Sequence, residues 1–292
     1  MTSHVMDSMR RVRQHPGVHP LGQPHPGQAG TRLRRLRSGR RVSQLALSLQ
    51  VGVSQRHLSC IETGRARASR DMLLALLDAL EAPLAERNEV LLAAGFAPAY
   101  GRRALSEPDM APAREALRHL LAAHEPAPAM VLDGAWNLVE ANRGAGALMA
   151  LLRVDLAREA AGNVLRALLQ PGPLRDALVN RDEVGAEAWR RSQREAAHVP
   201  ELRALIEELH PHAPPPGVQG PDAPLLLTRL RGPAGELRFF STFTTFGAPL
   251  DVTLASLRVE HLFPADEATR RALAPEPGPG GPPPSPAPPG VR

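Results

Sequence analysis

The stretch Ser43–Gly64, SQLALSLQVGVSQRHLSCIETG, restricts what this chain can fold into more than any other. Ser43 is suited to an N-cap, with Gln44–Leu49 as a short amphipathic helix behind it. Gln50, Val51, Gly52 and Val53 read as a turn. Ser54 is a second N-cap, opening a helix to about Thr63 that Gly64 terminates. Two capped helices around a glycine turn, in about 20 residues, are the parts of a helix-turn-helix. The expected inward set is Leu45, Ala46, Leu49, Val53, Leu58 and Ile61, with small Ala46 at a close helix approach. That leaves Ser54, Gln55, Arg56, Ser59 and Cys60 on the open side of the second helix.

Those residue types suit base reading, since glutamine pairs with adenine and arginine with guanine through two hydrogen bonds. The N-terminal part of such a helix is the part that enters a major groove. Gln44 is placed to grip a phosphate, and Arg40, Arg41, Arg65 and Arg67 flank the unit as further phosphate contacts. Charge agrees with this. The net charge is +5, yet residues 1–70 hold thirteen arginines against Asp7 and Glu62, so the rest of the chain is net acidic. A basic end on an acidic body suggests a nucleic-acid-binding end and a body with another task. Every basic residue is arginine. With so much Ala, Gly and Pro, this suggests coding bias rather than function.

Around the motif the pattern is helical. Thr31–Ser38 is an expected first helix, with Leu33 and Leu36 inward and Arg32, Arg34, Arg35 and Arg37 around the rest. Ser69 caps a fourth helix whose Met72, Leu73, Leu76, Leu77 and Leu80 form an inner stripe. A fifth runs from Pro83 to about Ala94, stopped by Gly95. The expected organisation is a disordered arm over residues 1–28, an all-α five-helix domain over 29–97 and a linker over 98–112. A second domain follows over 113–273, then a disordered Pro/Gly-rich tail over 274–292.

The second domain changes character. Ala129–Asp133 and Trp136–Asn142 read as a strand hairpin about Gly134. Helical patterns follow at 143–152, 163–169, 173–179, 182–198 and 201–210. Three strand-like runs close the domain: PLLLTRLRG, ELRFFSTFTTFG and LASLRVEHLF, with a hairpin turn at Gly232–Gly235. In the middle run Leu237, Phe239, Ser241 and Phe243 share one face. Strands at both ends with helices between suggest an α+β domain, an antiparallel sheet with helices on one side. Trp136, Leu237, Phe239 and Phe243 are candidates to line an apolar pocket; plain core is the alternative for each.

The segment SQLALSLQVGVSQRHLSCIETGRARASRDMLLALLDAL resembles the XRE (Cro/C1-type) helix-turn-helix family at Gln44, Ala46, Gly52, Val53, Ser54, Ser59, Glu62 and Gly64. The resemblance implies DNA contacts by Gln44, Gln55, Arg56 and Ser59 and a structural role for Glu62. Cys60 and Thr63 depart from it, standing where that family often carries basic residues. WNLVEANRGAGAL and FFSTFTTFGAPLDVTLASLRVEHLFPADEATR resemble the MmyB-like ligand-binding domain, over roughly residues 113–273. This second resemblance implies a PAS-like fold and binding of a fatty acid or similar apolar molecule.

Other classes find little support. The single cysteine, Cys60, excludes an intramolecular disulfide framework and a Cys-cluster zinc site. It is a small filler or a redox-sensitive thiol on the reading helix. His57 beside it suits packing or phosphate contact better than metal binding. The arm's His4, His15, His19 and His25 are scattered. No nucleophile elbow, P-loop, GxGxxG or HExxH is present, and Glu207, Glu208, His210 and His212 read as a helix end. No apolar run reaches the ~18 residues of a membrane span, and no signal-peptide core is seen at the start, so the expected compartment is the cytoplasm. The expectation is a non-enzymatic transcription regulator. It binds double-stranded DNA, as a homodimer because one short helix makes few base contacts. No cofactor is expected; an apolar ligand is. A helix-turn-helix serving only as a protein-interaction module, antitoxin-like or an assembly factor, is the alternative.

Overall fold

The computed structural model describes residues 26–197, 199–215, 217–218, 224–233 and 235–273. The expected arm lies outside these up to residue 25, and the expected tail over 274–292 lies outside them entirely. The chain forms two compact units. One runs to Glu81 and includes Glu89–Ala97; the other comprises Ala82–Asn88 and everything from Pro98.

The first unit contains α1 (Pro26–Gly39), α2 (Gln44–Val51), α3 (Gln55–Glu62) and α4 (Arg70–Ala79), and α5 (Leu84–Ala93) completes the five helices. Helix α1 begins five residues before the expected Thr31, so residues 26–28 are helical and not arm. The three serine caps form as expected. Ser43 Oγ accepts from the Ala46 amide at 3.0 Å, Ser54 Oγ from His57 at 3.1 Å and Ser69 Oγ from Met72 at 3.2 Å. Each satisfies one amide that the helix start would leave unpaired. Gly52 ends α2 in the left-handed region, at φ 75°, where a side chain would be strained. Helices α1 and α3 meet closely: a Cβ on Gly30 would stand 2.2 Å from the Ile61 carbonyl oxygen. Leu33, Leu47, Leu58, Leu73, Leu76, Leu77 and Leu91 fill the core.

The inward face of α2 differs from the expectation. Leu45 is 52% exposed and Leu49 73%, and Ala46 is exposed too, while Leu47 and Ser48 are buried. Leucines lie on every side of this short helix, so hydrophobic spacing selects no face. Packing against α3 and α4 sets its rotation instead. Ser48, not Ala46, is the small residue buried on this helix, with its hydroxyl donating to the Leu45 carbonyl at 2.8 Å.

The second unit is built on a five-stranded antiparallel sheet of order β2-β1-β5-β4-β3. Its strands are β1 (Ala129–Leu132), β2 (Leu138–Ala141), β3 (Thr228–Gly232), β4 (Gly235–Thr244) and β5 (Arg258–Pro264). The first and last strand regions of the unit are therefore neighbours at its centre. Before β1 comes α6 (Ala111–Ala123). Between β2 and β3 lie α7 (Arg143–Leu151), α8 (Leu156–Ala160), α9 (Val164–Leu169), α10 (Pro173–Ala177), α11 (Arg181–Glu195) and α12 (Pro200–Leu209). The short helix α13 (Val252–Ser256) precedes β5, and α14 (Glu267–Leu273) follows it.

All four residues of β1 are buried, which means that both faces of the sheet are covered there. Met130 and Leu132 join the main core with Leu148, Trp189, Leu202 and Phe239. Ala129 and Val131 pack with Leu117 and Leu121 of α6 and with Leu257 and Val259. The helices thus lie on both sides of the sheet, a correction to the one-sided arrangement expected. Two further segments differ. The run LASLRVEHLF is not strand throughout, because Asp251 caps α13, accepting from the Thr253 amide at 2.8 Å, and extended structure starts only at Arg258. The expected linker over 98–112 is partly ordered within this unit. The Gly101 carbonyl accepts from the Val252 amide at 2.8 Å, Asp251 accepts from the Arg103 amide at 3.2 Å, and α6 begins at Ala111.

Candidate functional site

Helix α3 presents a sorted surface. Leu58 and Ile61 are buried, so the Ser54 cap, Gln55, Arg56 and His57 point outward, with Ser59 and Cys60 half-buried beside them. Arg41, Arg65 and Arg67 are exposed, and Arg41 sits in the left-handed region at φ 57°. Arg40 is half-buried and donates to the Glu81 carbonyl at 3.2 Å. These residues place cationic and amide groups on the surface of the helical unit.

Gln44 is engaged internally. Its side-chain amide donates to Glu62 Oε2 at 2.8 Å. The same carboxylate receives Arg37 Nε at 2.6 Å and Arg37 Nη2 at 2.8 Å, a two-pronged pair, and Arg37 Nη1 reaches the Val42 carbonyl at 2.8 Å. Arg37 therefore belongs inside, and not on the outer side of α1 where its neighbours lie. Glu62 has a fully buried side chain. Burial pushes its carboxyl upward, but the hydrogen bonds from Arg37 and Gln44 and the nearby guanidinium charge hold it below the usual carboxylate range. The Arg37 guanidinium is raised by its bond to Glu62, against desolvation. This knot ties α1, α2 and the end of α3, and so fixes the attitude of the exposed helix.

The second unit encloses a pocket of about 370 Å³ between the sheet and its helices. Its walls are Met130, Trp136, Leu148, Leu168, Leu174, Leu178, Val184, Leu230 and Leu262, with Phe243 also lining it. Of the four residues expected here, Trp136 and Phe243 line the pocket. Leu237 and Phe239 do not: both are buried in the main core. The shared face of β4 is as expected, but the pocket opens further along the strand, at Ser241 and Phe243, which is 41% exposed. Trp136 adopts φ 69°, a strained conformation for a bulky residue, and its Nε1 donates to Glu195 Oε2 at 2.8 Å.

One end of the pocket is charged, which the sequence patterns did not reveal. Glu195 gathers three donors: Trp136 Nε1, Arg191 Nε at 2.7 Å and Arg258 Nη1 at 3.3 Å. The Arg191 guanidinium carbon lies 3.7 Å from the centre of the Phe243 ring, and that of Arg258 lies 4.5 Å from the Trp136 ring. Arg258 is buried, and its Nε and Nη2 have no hydrogen-bond partner among the described residues. Burial lowers its pKa from the ordinary arginine value. Glu260 lines the pocket two residues further along β5, and burial raises its carboxyl above the usual range. The signal available in the sequence was alternation: Arg258 and Glu260 share the register of buried Leu262, so two charges occupy an inward face.

Among the described residues no group of His, Cys, Asp and Glu is arranged to hold a metal ion, and no helix is long and apolar enough to cross a membrane.

A helix-turn-helix with an open second helix, followed by an α+β unit around an apolar pocket, defines a DNA-binding transcription regulator with a ligand-binding domain. Residues 113–275 match the MmyB-like transcription regulator ligand binding domain, and residues 28–90 match a helix-turn-helix domain. The chain belongs to the MmyB-like transcription regulators, a family of regulators and not of enzymes. No curated protein matches it. Among solved structures it is similar to the clp gene regulator ClgR from C. glutamicum, at 30% identity over 26% of this chain and 92% of that one, with a TM-score of 0.22. It is also similar to the restriction-modification controller protein C.AhdI from Aeromonas hydrophila, at 30% identity over 21% and 92%, TM-score 0.20. A third is an HTH_3 family transcriptional regulator from Vibrio cholerae, at 28% identity over 22% and 36%, TM-score 0.21.

Proposed function

We propose that the protein is a cytoplasmic, sequence-specific regulator that binds operator DNA as a homodimer. Its second unit senses a fatty-acid-like apolar molecule. The observation that carries the DNA reading is the sorting of α3: Leu58 and Ile61 inward, Gln55, Arg56 and Ser59 on the open side. Ser54 and these three residues face the base edges. Arg40, Arg41, Arg65 and Arg67 lie against phosphates. Gln44 reaches a phosphate with whatever hydrogen-bonding capacity Glu62 leaves it. Two copies reading two half-sites supply the specificity that one short helix lacks.

The pocket supports the sensing half, since a cavity of a few hundred Å³ with mostly aliphatic walls and a few polar groups is the usual form of a small-molecule site. The ligand acts by binding one arrangement of the regulator better than another. Operator affinity measured with and without a straight-chain fatty acid tests this. Unchanged affinity while the acid demonstrably fills the second unit would refute the sensing role. On the DNA side, Arg56→Ala costs about 1–3 kcal/mol at the preferred operator and little on random DNA. An equal loss on both makes Arg56 a phosphate contact.

A further inference from the structure

The polar end of the pocket carries more charge than an apolar ligand requires. Arg191 lines the pocket with its guanidinium carbon 3.7 Å from the centre of the Phe243 ring, and among the described residues only its Nε is hydrogen-bonded, to Glu195. Its two Nη atoms donate to no described residue, so they are available to a ligand oxygen. Glu260 stands across the ladder from Phe243 and lines the same end, beside Ser241. The charges facing Glu260 come from two elements. Arg258 precedes it on β5, and Arg191 comes from α11. Glu195, also on α11, is already committed to both arginines. Glu187 lines the pocket one turn before Arg191 but is paired with Arg190 and Arg194. Asp133, at the end of β1, acts on Arg258. The pocket-facing side of β4 contributes Ser241 and no charge.

We propose that this end of the pocket takes the carboxylate head of an amphiphile on Arg191, next to Glu260, and that seating it takes up one proton from solvent, held at Glu260. The proposal rests on the pocket being the ligand site assigned under Proposed function. The charge balance supports it. With Glu260 ionised, Arg191 and Arg258 are matched by Glu195 and Glu260, and an incoming anion is left over. With Glu260 protonated, one positive charge is unmatched and the ligand carboxylate completes the set. Two carboxylates sharing one desolvated site do not both stay ionised. Burial already disfavours the Glu260 anion before any ligand arrives. The protonated carboxyl then donates a hydrogen bond to the ligand head, so the end distinguishes an acid from an alcohol of the same chain length.

The test is titration calorimetry of the full chain with dodecanoate, below its aggregation concentration, from about pH 6 to about pH 8, where the free acid is ionised in water. Two buffers of different protonation enthalpy report the proton count. The expected result is net proton uptake of at most one proton per ligand, with affinity weakening as pH rises, by at most about tenfold per pH unit. Dodecan-1-ol binds with no uptake and no such slope. In Glu260→Gln the uptake and the pH slope for the acid disappear while the alcohol still binds, which shows the pocket intact. Arg191→Met weakens the acid at least tenfold relative to the alcohol. If Glu260→Gln does not fold, the wild-type uptake decides alone. Absence of uptake, uptake that survives in Glu260→Gln, or the same pH slope for the alcohol overturns the head-group assignment and leaves lipid sensing standing. Failure of both probes to bind overturns lipid sensing and this assignment together.

Discussion

Each unit of this protein sets a carboxylate against arginine, buried in one and half-buried in the other, and the two clusters end differently. In the helical unit, Glu62 receives three hydrogen bonds from Arg37 and Gln44, and Arg37 spends its remaining reach on a backbone carbonyl. That knot is closed. In the α+β unit, Glu195 serves Trp136, Arg191 and Arg258, yet Arg258 keeps two buried nitrogens without partners among the described residues, and Glu260 lines the same pocket with its charge disfavoured. That cluster is open, and it opens onto a pocket. A closed cluster fixes one geometry, while an open one keeps hydrogen-bonding capacity for something not yet present. The difference separates a part that holds one exposed helix in a fixed attitude from a part that keeps polar capacity beside a pocket.

The largest expected effect lies in the closed knot. Glu62→Ala leaves the Arg37 guanidinium nearly buried without its counter-ion, which costs about 3–5 kcal/mol. Urea unfolding of the helical unit measures it, and a loss under about 1 kcal/mol would make the knot an ornament of the fold. The pH dependence has a definite sign. Glu62 is held below the usual carboxylate range when folded, so its stabilisation is complete above that range and fades as pH falls through the folded value. Wild-type stability therefore drops on acidification by more than that of Glu62→Gln.

A smaller effect is expected where the cluster is open. Arg258→Met removes a cation that burial already disfavours and fills the space with apolar volume. Glu195 keeps Trp136 and Arg191 as partners. The change in stability stays within about 1 kcal/mol. A loss as large as that of Glu62→Ala would mean that Arg258 holds the core together, and the contrast between the clusters would fail.

Legibility from sequence follows the range of the interactions. The serine caps at Ser43, Ser54 and Ser69 were readable because each bonds an amide three residues away. The fold class was readable from alternation and glycine turns. The face of α2 was not, because Leu45, Leu47 and Leu49 are equally apolar and only the tertiary setting selects Leu47. Arg37 reads as one more surface arginine until Glu62, 25 positions on, is brought to it. The pocket's polar end joins Glu195 of α11 to Arg258, 63 positions later, and no local pattern announces such a meeting. Phe239 and Phe243 look alike on one strand face, yet one is core and the other lines the pocket, because the pocket occupies only part of that face.

The smallest effect sharpens what burial contributes. Glu236 on β4 accepts from Arg229 at 2.7 and 2.8 Å and from Arg238 at 2.7 Å, a set of partners as full as that of Glu62. These hydrogen bonds hold its carboxyl far down, at about 2 against an ordinary 4.5. The cluster is nevertheless bathed by water, with Arg229 and Arg238 side chains 40% and 48% exposed. Solvent and salt screen such pairs, and water replaces the lost partner when one is removed. Glu236→Gln is therefore expected to shift the melting temperature far less than Glu62→Gln, and the shift should shrink further in high salt. The sign with pH matches that of Glu62: the contribution is present above the ordinary carboxylate range and is lost as pH falls towards about 2. A salt-independent loss equal to that of Glu62→Gln would show that the number of partners, and not their burial, sets the worth of these clusters.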